Sequence, residues 1–279
     1  MRRAALVVLA AVALLAGTTS CTPVRDDRSL PDGVTVHIDQ SRILRKTRTL
    51  FLRVHNGSTQ SLKVTGFTLT SSRFDDVTWS GAEEIGPGYD ADLEFEMPPG
   101  RCGAAGVDAT VTLQYDVEDH PVRSVVRPED PYDAATAFLD RDCAQRTLRE
   151  AAAFELGEIR VEGSGRSAVL DLPITVTPTG RRDDVVLTGF GSTVLFVVRA
   201  EPALSSGLSV RGRPVTIDLR LVPQRCDSHA LAEDKVGTLI PVRLRADDLD
   251  ETSFYVPIGP RRRSVMLAYV AEACGFPKG

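Results

Sequence analysis

"KVTGF" (Lys63 to Phe67) recurs as "VLTGF" (Val186 to Phe190), 123 positions further along a chain of 279 residues. Working outward, "DADLEFEMPPGRC" (Asp90 to Cys102) aligns with "PVTIDLRLVPQRC" (Pro214 to Cys226) at an offset of 124. Each alternates apolar and polar residues, then meets proline and Arg-Cys. "AFLDRDC" (Ala137 to Cys143) matches "AYVAEAC" (Ala268 to Cys274) at an offset of 131. Three landmarks in one order, drifting by only eight residues, signal tandem domains and not a short-period solenoid. The boundary is expected near Arg146 to Glu150, with domains over 34–148 and 149–279. No Pro or Gly marks it, so the junction reads as short and semi-rigid.

The local pattern is β almost throughout. "VTVHID", "TLFLRV", "LKVTGFTL" and "ATVTLQYDV" alternate with period two, and the second copy offers "AVLDLPITVT", "TVLFVVRA", "VTIDLRLV" and "IPVRLRA". Asn56-Gly57, Gly86-Pro87-Gly88, Pro98-Pro99-Gly100 and Thr179-Gly180 punctuate them. Short strands with such turns predict an all-β chain of two tandem immunoglobulin-like β-sandwich domains. "DPYDAATAFLDRDC" differs: Asp, Pro and Ala open it, and Leu139 precedes Cys143 by four residues, a spacing that Val270 and Cys274 repeat. A short helix or turn near the second cysteine of each copy is expected, with a final strand as the alternative.

Five cysteines are present, Cys21, Cys102, Cys143, Cys226 and Cys274. Four allow three pairings, and the repeat selects Cys102 with Cys143 and Cys226 with Cys274. Cys21 is then the odd one out. It follows "MRRAALVVLAAVALLAG", where two arginines precede an uncharged run of 14 residues. At 1.5 Å per residue that run reaches about 21 Å, short of the roughly 30 Å hydrocarbon core of a bilayer. A basic start, a short apolar core and small residues before a cut describe a secretory signal over residues 1–20.

The segment Leu14-Leu15-Ala16-Gly17-Thr18-Thr19-Ser20-Cys21 resembles the lipobox of bacterial lipoproteins, with Thr18 where leucine is usual. That resemblance covers the first 21 residues and implies lipid on Cys21. It places the mature chain outside the cytoplasmic membrane, in an oxidising compartment that keeps disulfides. "TPVRDDRSLPDG" (Thr22 to Gly33) then reads as an unstructured tether, completing a lipidated segment over 21–33. Cleavage before Cys21 would leave 259 residues and change the net charge from −5 to −7.

An acidic chain without clustered Lys and Arg is a poor partner for nucleic acid. The sequence has no G-x-S-x-G elbow, H-E-x-x-H pair, P-loop or G-x-G-x-x-G dinucleotide run, and its histidines (His37, His55, His120, His229) are scattered. The expectation is a non-enzymatic envelope lipoprotein that binds or spaces an envelope protein or polymer, with no cofactor. A hydrolase with a spatially assembled site is the least favoured alternative.

The densest polar cluster, "RCDSHALAEDK" (Arg225 to Lys235), supports another alternative, metal or small-ligand binding. Asp227, His229, Glu233 and Asp234 are its candidate ligand residues. Cys226 has metal-ligand spacing to His229, but pairing with Cys274 removes its thiolate, so no metal is assigned. "ADDLDET" (Ala246 to Thr252) carries four acids without the glycine and spacing of a calcium loop, and reads as a solvated turn. Arg261-Arg262-Arg263 reads as a solvated loop or helix start, with contact to anionic headgroups or teichoic-type polymers as the functional alternative. The lone tryptophan, Trp79, is expected to pack at a sheet edge, because no aromatic platform for sugars accompanies it.

Overall fold

The computed structural model describes residues 25–26, 29–103, 106–227, 229, 231 and 236–276. The chain is mostly β, in several antiparallel sheets wrapped around two hydrophobic cores. In the first half β2 (Val34–Asp39), β3 (Thr49–Asn56) and β6 (Asp90–Glu96) form one sheet. Opposite lie β1 (Arg25–Asp26), β8 (His120–Val126), β7 (Thr110–Val117), β4 (Leu62–Ser71) and β5 (Phe74–Ile85), in that order. Only β1 joins in parallel.

Alternation explains the sandwich. In β6 Ala91, Leu93 and Phe95 point inward while Asp90, Asp92, Glu94 and Glu96 face water, so one sheet face is apolar. The facing sheet supplies Val64, Phe67, Leu69, Val111, Leu113 and Tyr115 to the same core.

The second half is similarly ordered. One sheet runs β10 (Arg160–Glu162), β11 (Val169–Pro178), β15 (Val215–Pro223), β13 (Phe196–Glu201), with β9 (Ala152–Leu156) also on β11. The other runs β14 (Leu208–Ser209), β12 (Val186–Phe190), β16 (Pro241–Ala246), β17 (Leu249–Tyr255). The landmark pentapeptides lie in β4 and β12, and both strands carry a register shift there, between Val64 and Gly66 and between Leu187 and Gly189. The repeated Thr-Gly is a β-bulge. A Cβ on Gly66 would come within 3.1 Å of the Trp79 carbonyl oxygen, which explains the small residue there.

Two helices close the halves, and both exceed the short helix or turn expected. α1 (Ala134–Ala151) has 18 residues and α2 (Pro260–Ala273) has 14. The Asp130 carboxylate accepts from the Ala134 and Ala135 amides at 2.6 and 3.1 Å and starts α1. At its far end the Thr179 amide donates to the Ala151 carbonyl, and Arg181 to that of Arg149.

The helix runs straight through the junction expected at 146–150. Ala135, Phe138 and Leu139 belong to the first core, Ala144, Leu148 and Ala151 to the second. "CAQRTLREAA" contains only tolerable helix formers, so nothing stops the helix at the end of the repeat.

Cys102 bonds to Cys143 and Cys226 to Cys274, with Cα atoms 5.7 and 5.3 Å apart. The first bridge fastens the loop after β6 to the middle of α1; the second fastens the segment after β15 to the end of α2.

The tether expected to be unstructured is partly ordered. Arg25 and Asp26 pair with Val122 and Arg123, because the open edge of β8 offers unpaired backbone groups. The buried Ser124 hydroxyl donates to the Ser29 carbonyl at 2.8 Å, and the Val34 amide closes a turn on Pro31.

Candidate functional site: a cleft between the halves

Where α1 passes from one core to the other it floors a cleft of about 700 Å³. That volume is in the range of small-molecule sites, which favour such junctions. One wall is a single 3-10 turn, Arg42–Lys46, continuing to Arg48. The floor is Phe138, Arg141, Asp142 and Gln145 of α1. The far wall runs from the end of β17, at Phe254 and Tyr255, to the start of α2 at Pro260 and Arg263.

The floor is heavily braced. Arg48 donates to the carbonyls of Met97 and Pro98 at 2.8 and 2.6 Å, pairs with Asp142, and lies 5.1 Å over the Phe138 ring. Asp142 also accepts from the Gly100 amide at 2.9 Å. Burial pushes the Asp142 carboxyl pKa up, but the Arg48 and Gly100 hydrogen bonds outweigh it and the net direction is down. Asp142 is thus a committed carboxylate.

Arg141 differs. Its guanidinium donates to the Gln40 side-chain oxygen at 2.5 Å and lies 5.8 Å over the Tyr255 ring, linking the two halves. Burial lowers its pKa; Tyr255 and Asp140 oppose the shift, and the like charge of Arg45 adds to it. Among the described residues, cationic side chains in the lining number five (Arg45, Lys46, Arg48, Arg141 and Arg263), against the single carboxylate of Asp142. In a chain of net charge −5 this is a local reversal of sign.

An adjoining recess of about 410 Å³ shares Arg45, Leu239 and Tyr255 with the cleft. Gln224 and Val236, on either side of the Cys226–Lys235 loop, line it.

No protein-family model matches the chain, and no curated protein sequence matches it. Among solved structures, a red sea bream transglutaminase aligns over 81% of this chain and 31% of its own, at 10% identity and a TM-score of 0.26. An Amycolatopsis orientalis exo-chitosanase aligns over 79% and 26%, at 14% identity and 0.21. A protein of unknown function from Porphyromonas gingivalis aligns over 79% and 94%, at 13% identity and 0.21. The chain thus spans about a third or less of the two enzymes, and likenesses this faint carry no argument about activity.

The residues singled out by sequence are dispersed. Cys21, Glu233 and Asp234 lie outside the described residues. Asp227 accepts from Arg225 at 2.9 Å, His229 is exposed in the same loop, and disulfide bonding removes the Cys226 thiolate. Among the described residues no group of three or more His, Cys, Asp or Glu could hold a metal.

His55 pairs with Asp90 at 2.6 Å on an open sheet face. His37 and His120 lie on separate strands, β2 and β8. In "ADDLDET" the Asp247 amide and the Asp248 carboxylate are engaged by Asp184 and Arg182 at the β16–β17 turn. Arg261, Arg262 and Arg263 open α2. There Arg262 binds the Leu156 and Gly157 carbonyls, while Arg263 meets Thr238 and faces the cleft. Trp79 stacks on Phe67 at 6.0 Å in the edge strand β5, as expected of a packing residue.

Sequence reasoning missed the cleft and its basic wall. "RILRKTR" (Arg42 to Arg48) places four cations in seven residues, a cluster that the acidic balance of the whole chain masks.

Proposed function

We propose that this chain is a non-enzymatic, lipid-anchored binding module of the bacterial envelope, taking its ligand in the cleft between two tandem immunoglobulin-like units. The single observation carrying the binding role is the braced cleft, formed by both halves around one helix. The tandem reading is supported by matching strand orders: β8-β7-β4-β5 answers to β17-β16-β12-β14, and β2-β3-β6 to β10-β11-β15. The bulge shared by β4 and β12 supports it further. Lipid on Cys21 rests on the signal sequence and on the pairing of the other four cysteines.

Hydrogen exchange of the full-length chain, with and without an extract of envelope components, tests the site. Protection is expected at 42–48 and 254–264; protection confined to other surfaces overturns the cleft as the site. Intact mass should show acyl chains on Cys21, and an unmodified Cys21 overturns the anchor. Turnover of any substrate, abolished by one Ser or His substitution, overturns the non-enzymatic role. A second reading, small-ligand binding by the Cys226–Lys235 loop, is favoured by one observation: the residues flanking that loop line the adjoining recess.

A further inference from the structure

We propose that the cleft recognises a phosphate-ester ligand of the envelope carrying at least two negative charges. This rests on the reading of the cleft as the ligand site and adds the chemistry of its occupant. Of the five lining cations, Arg48 is committed to Asp142, and Arg263 has partners of its own. The remaining three, Arg45, Lys46 and Arg141, are in no ion pair among the described residues. Arg141 keeps one neutral hydrogen-bond partner, Gln40, and the face of Tyr255.

Arg141 is partly buried, and the like charge of Arg45 adds to the cost of that burial, so an anion entering the cleft relieves both. The start of α2, at Gly259 and Pro260, opens on the same space and adds the positive end of a 14-residue helix. Charge balance then decides the class of ligand. A lone carboxylate offsets one of three open cations. A phosphate monoester brings a charge of about −1.5 to −2 and three acceptor oxygens. Planar arginine forks match such oxygens two at a time. Leu239, Pro257 and Ile258 offer the apolar body of the ligand a wall beside the charges.

Calorimetry of the full-length chain with phenyl phosphate, benzoate and benzyl alcohol tests this. Phenyl phosphate should bind about tenfold more tightly than benzoate, with no heat from benzyl alcohol. Its affinity should fall between 50 and 500 mM salt. Arg45→Gln and Lys46→Gln alter exposed side chains, so the fold is not at risk. Each should weaken phenyl phosphate about tenfold. Arg141→Lys keeps the charge but removes the fork, and should weaken it by a similar factor.

Phenyl phosphate binding no tighter than benzoate, or unmoved by the Arg45→Gln/Lys46→Gln pair, overturns the proposal. Glycerol 3-phosphate and poly(glycerol phosphate) separate a free ester from an envelope polymer as the source, and tighter binding of either than of benzoate supports the proposal. A single-stranded oligonucleotide binding more tightly than both overturns the assignment to the envelope. Exchange protection of the cleft by envelope extract, without phenyl phosphate binding, leaves the site standing and removes only its phosphate chemistry. Loss of both removes the parent reading as well.

Discussion

Replacing Leu148 by alanine is expected to weaken both halves of the molecule, not only the one into which it packs. Leu148 is 3% exposed in the second core, while Phe138 and Leu139 of the same helix are buried in the first. Removing three carbons forfeits about 2.4 kcal/mol at about 0.8 kcal/mol each, and the cavity left behind raises the cost to about 3 kcal/mol. The chain has one tryptophan, Trp79, in the first core, so its fluorescence follows that half alone. Circular dichroism in the far ultraviolet follows both. With a guanidinium dependence of about 5 kcal/mol per molar, 3 kcal/mol moves a midpoint by about 0.6 M. Both signals should shift down together by that amount, with the disulfides intact. A Trp79 midpoint that stays in place while dichroism splits into two steps would refute the shared-helix reasoning.

Three further outcomes are expected. Serine at both Cys102 and Cys143 frees a segment whose ends are 41 residues apart, and on the chain-entropy model lowers stability by about 4 kcal/mol, measured by denaturant titration. Arg182 holds the Asp184 carboxyl at about 2, below its ordinary 3.8. The stability it contributes is therefore complete above pH 3.8 and is lost as pH falls toward 2. Allowing for solvent screening this is about 1 kcal/mol, and Asp184→Asn should flatten the decline between pH 4 and pH 2. Burial pushes the Tyr269 hydroxyl up to about 12 from an ordinary 10. Only the neutral phenol is at ease in the core, so stability is full below pH 10 and falls by roughly 2 to 3 kcal/mol as pH rises through 12. Tyr269→Phe should remove that alkaline slope, at the expense of hydrogen bonds to the Ala168 and Leu221 carbonyls.

Much of the framework was legible because sandwich strands declare themselves by period two. The eight stretches quoted from the two halves each overlap a strand. Strand β5 stayed hidden. As an edge strand it buries only Phe74, Val77 and Ile85 of its 12 residues, so "DDVTWSGAEE" shows no alternation. The length of α1 was hidden for another reason. Its buried residues switch from one core to the other near Cys143, so no single apolar stripe marks it as one helix. The tether misled because strand pairing at an open edge uses backbone groups, which polar composition neither encodes nor forbids. The cleft lay beyond sequence altogether, because its walls are about 200 residues apart in the chain; its cations alone were visible, in "RILRKTR".

The asymmetry between the two halves accounts for the cleft. After Cys274 the chain turns out of α2, with Cys274 itself as the cap. After Cys143 the equivalent helix continues for eight residues, Ala144 to Ala151, and enters β9 without a break. Those eight residues carry Leu148 and Ala151 into the second core, so the surplus of one closing helix serves as the linker. A flexible linker would leave the spacing of the two walls to chance. Here the floor and both attachment points belong to one 18-residue helix, stitched to the first half through Cys143. Arg141, two residues before that bridge, is the side chain that reaches across to Tyr255. The helix that joins the halves therefore also sets the distance between the basic turn at 42–48 and the far wall at 254–263. A site read as selective for one class of anion requires a fixed spacing of that kind.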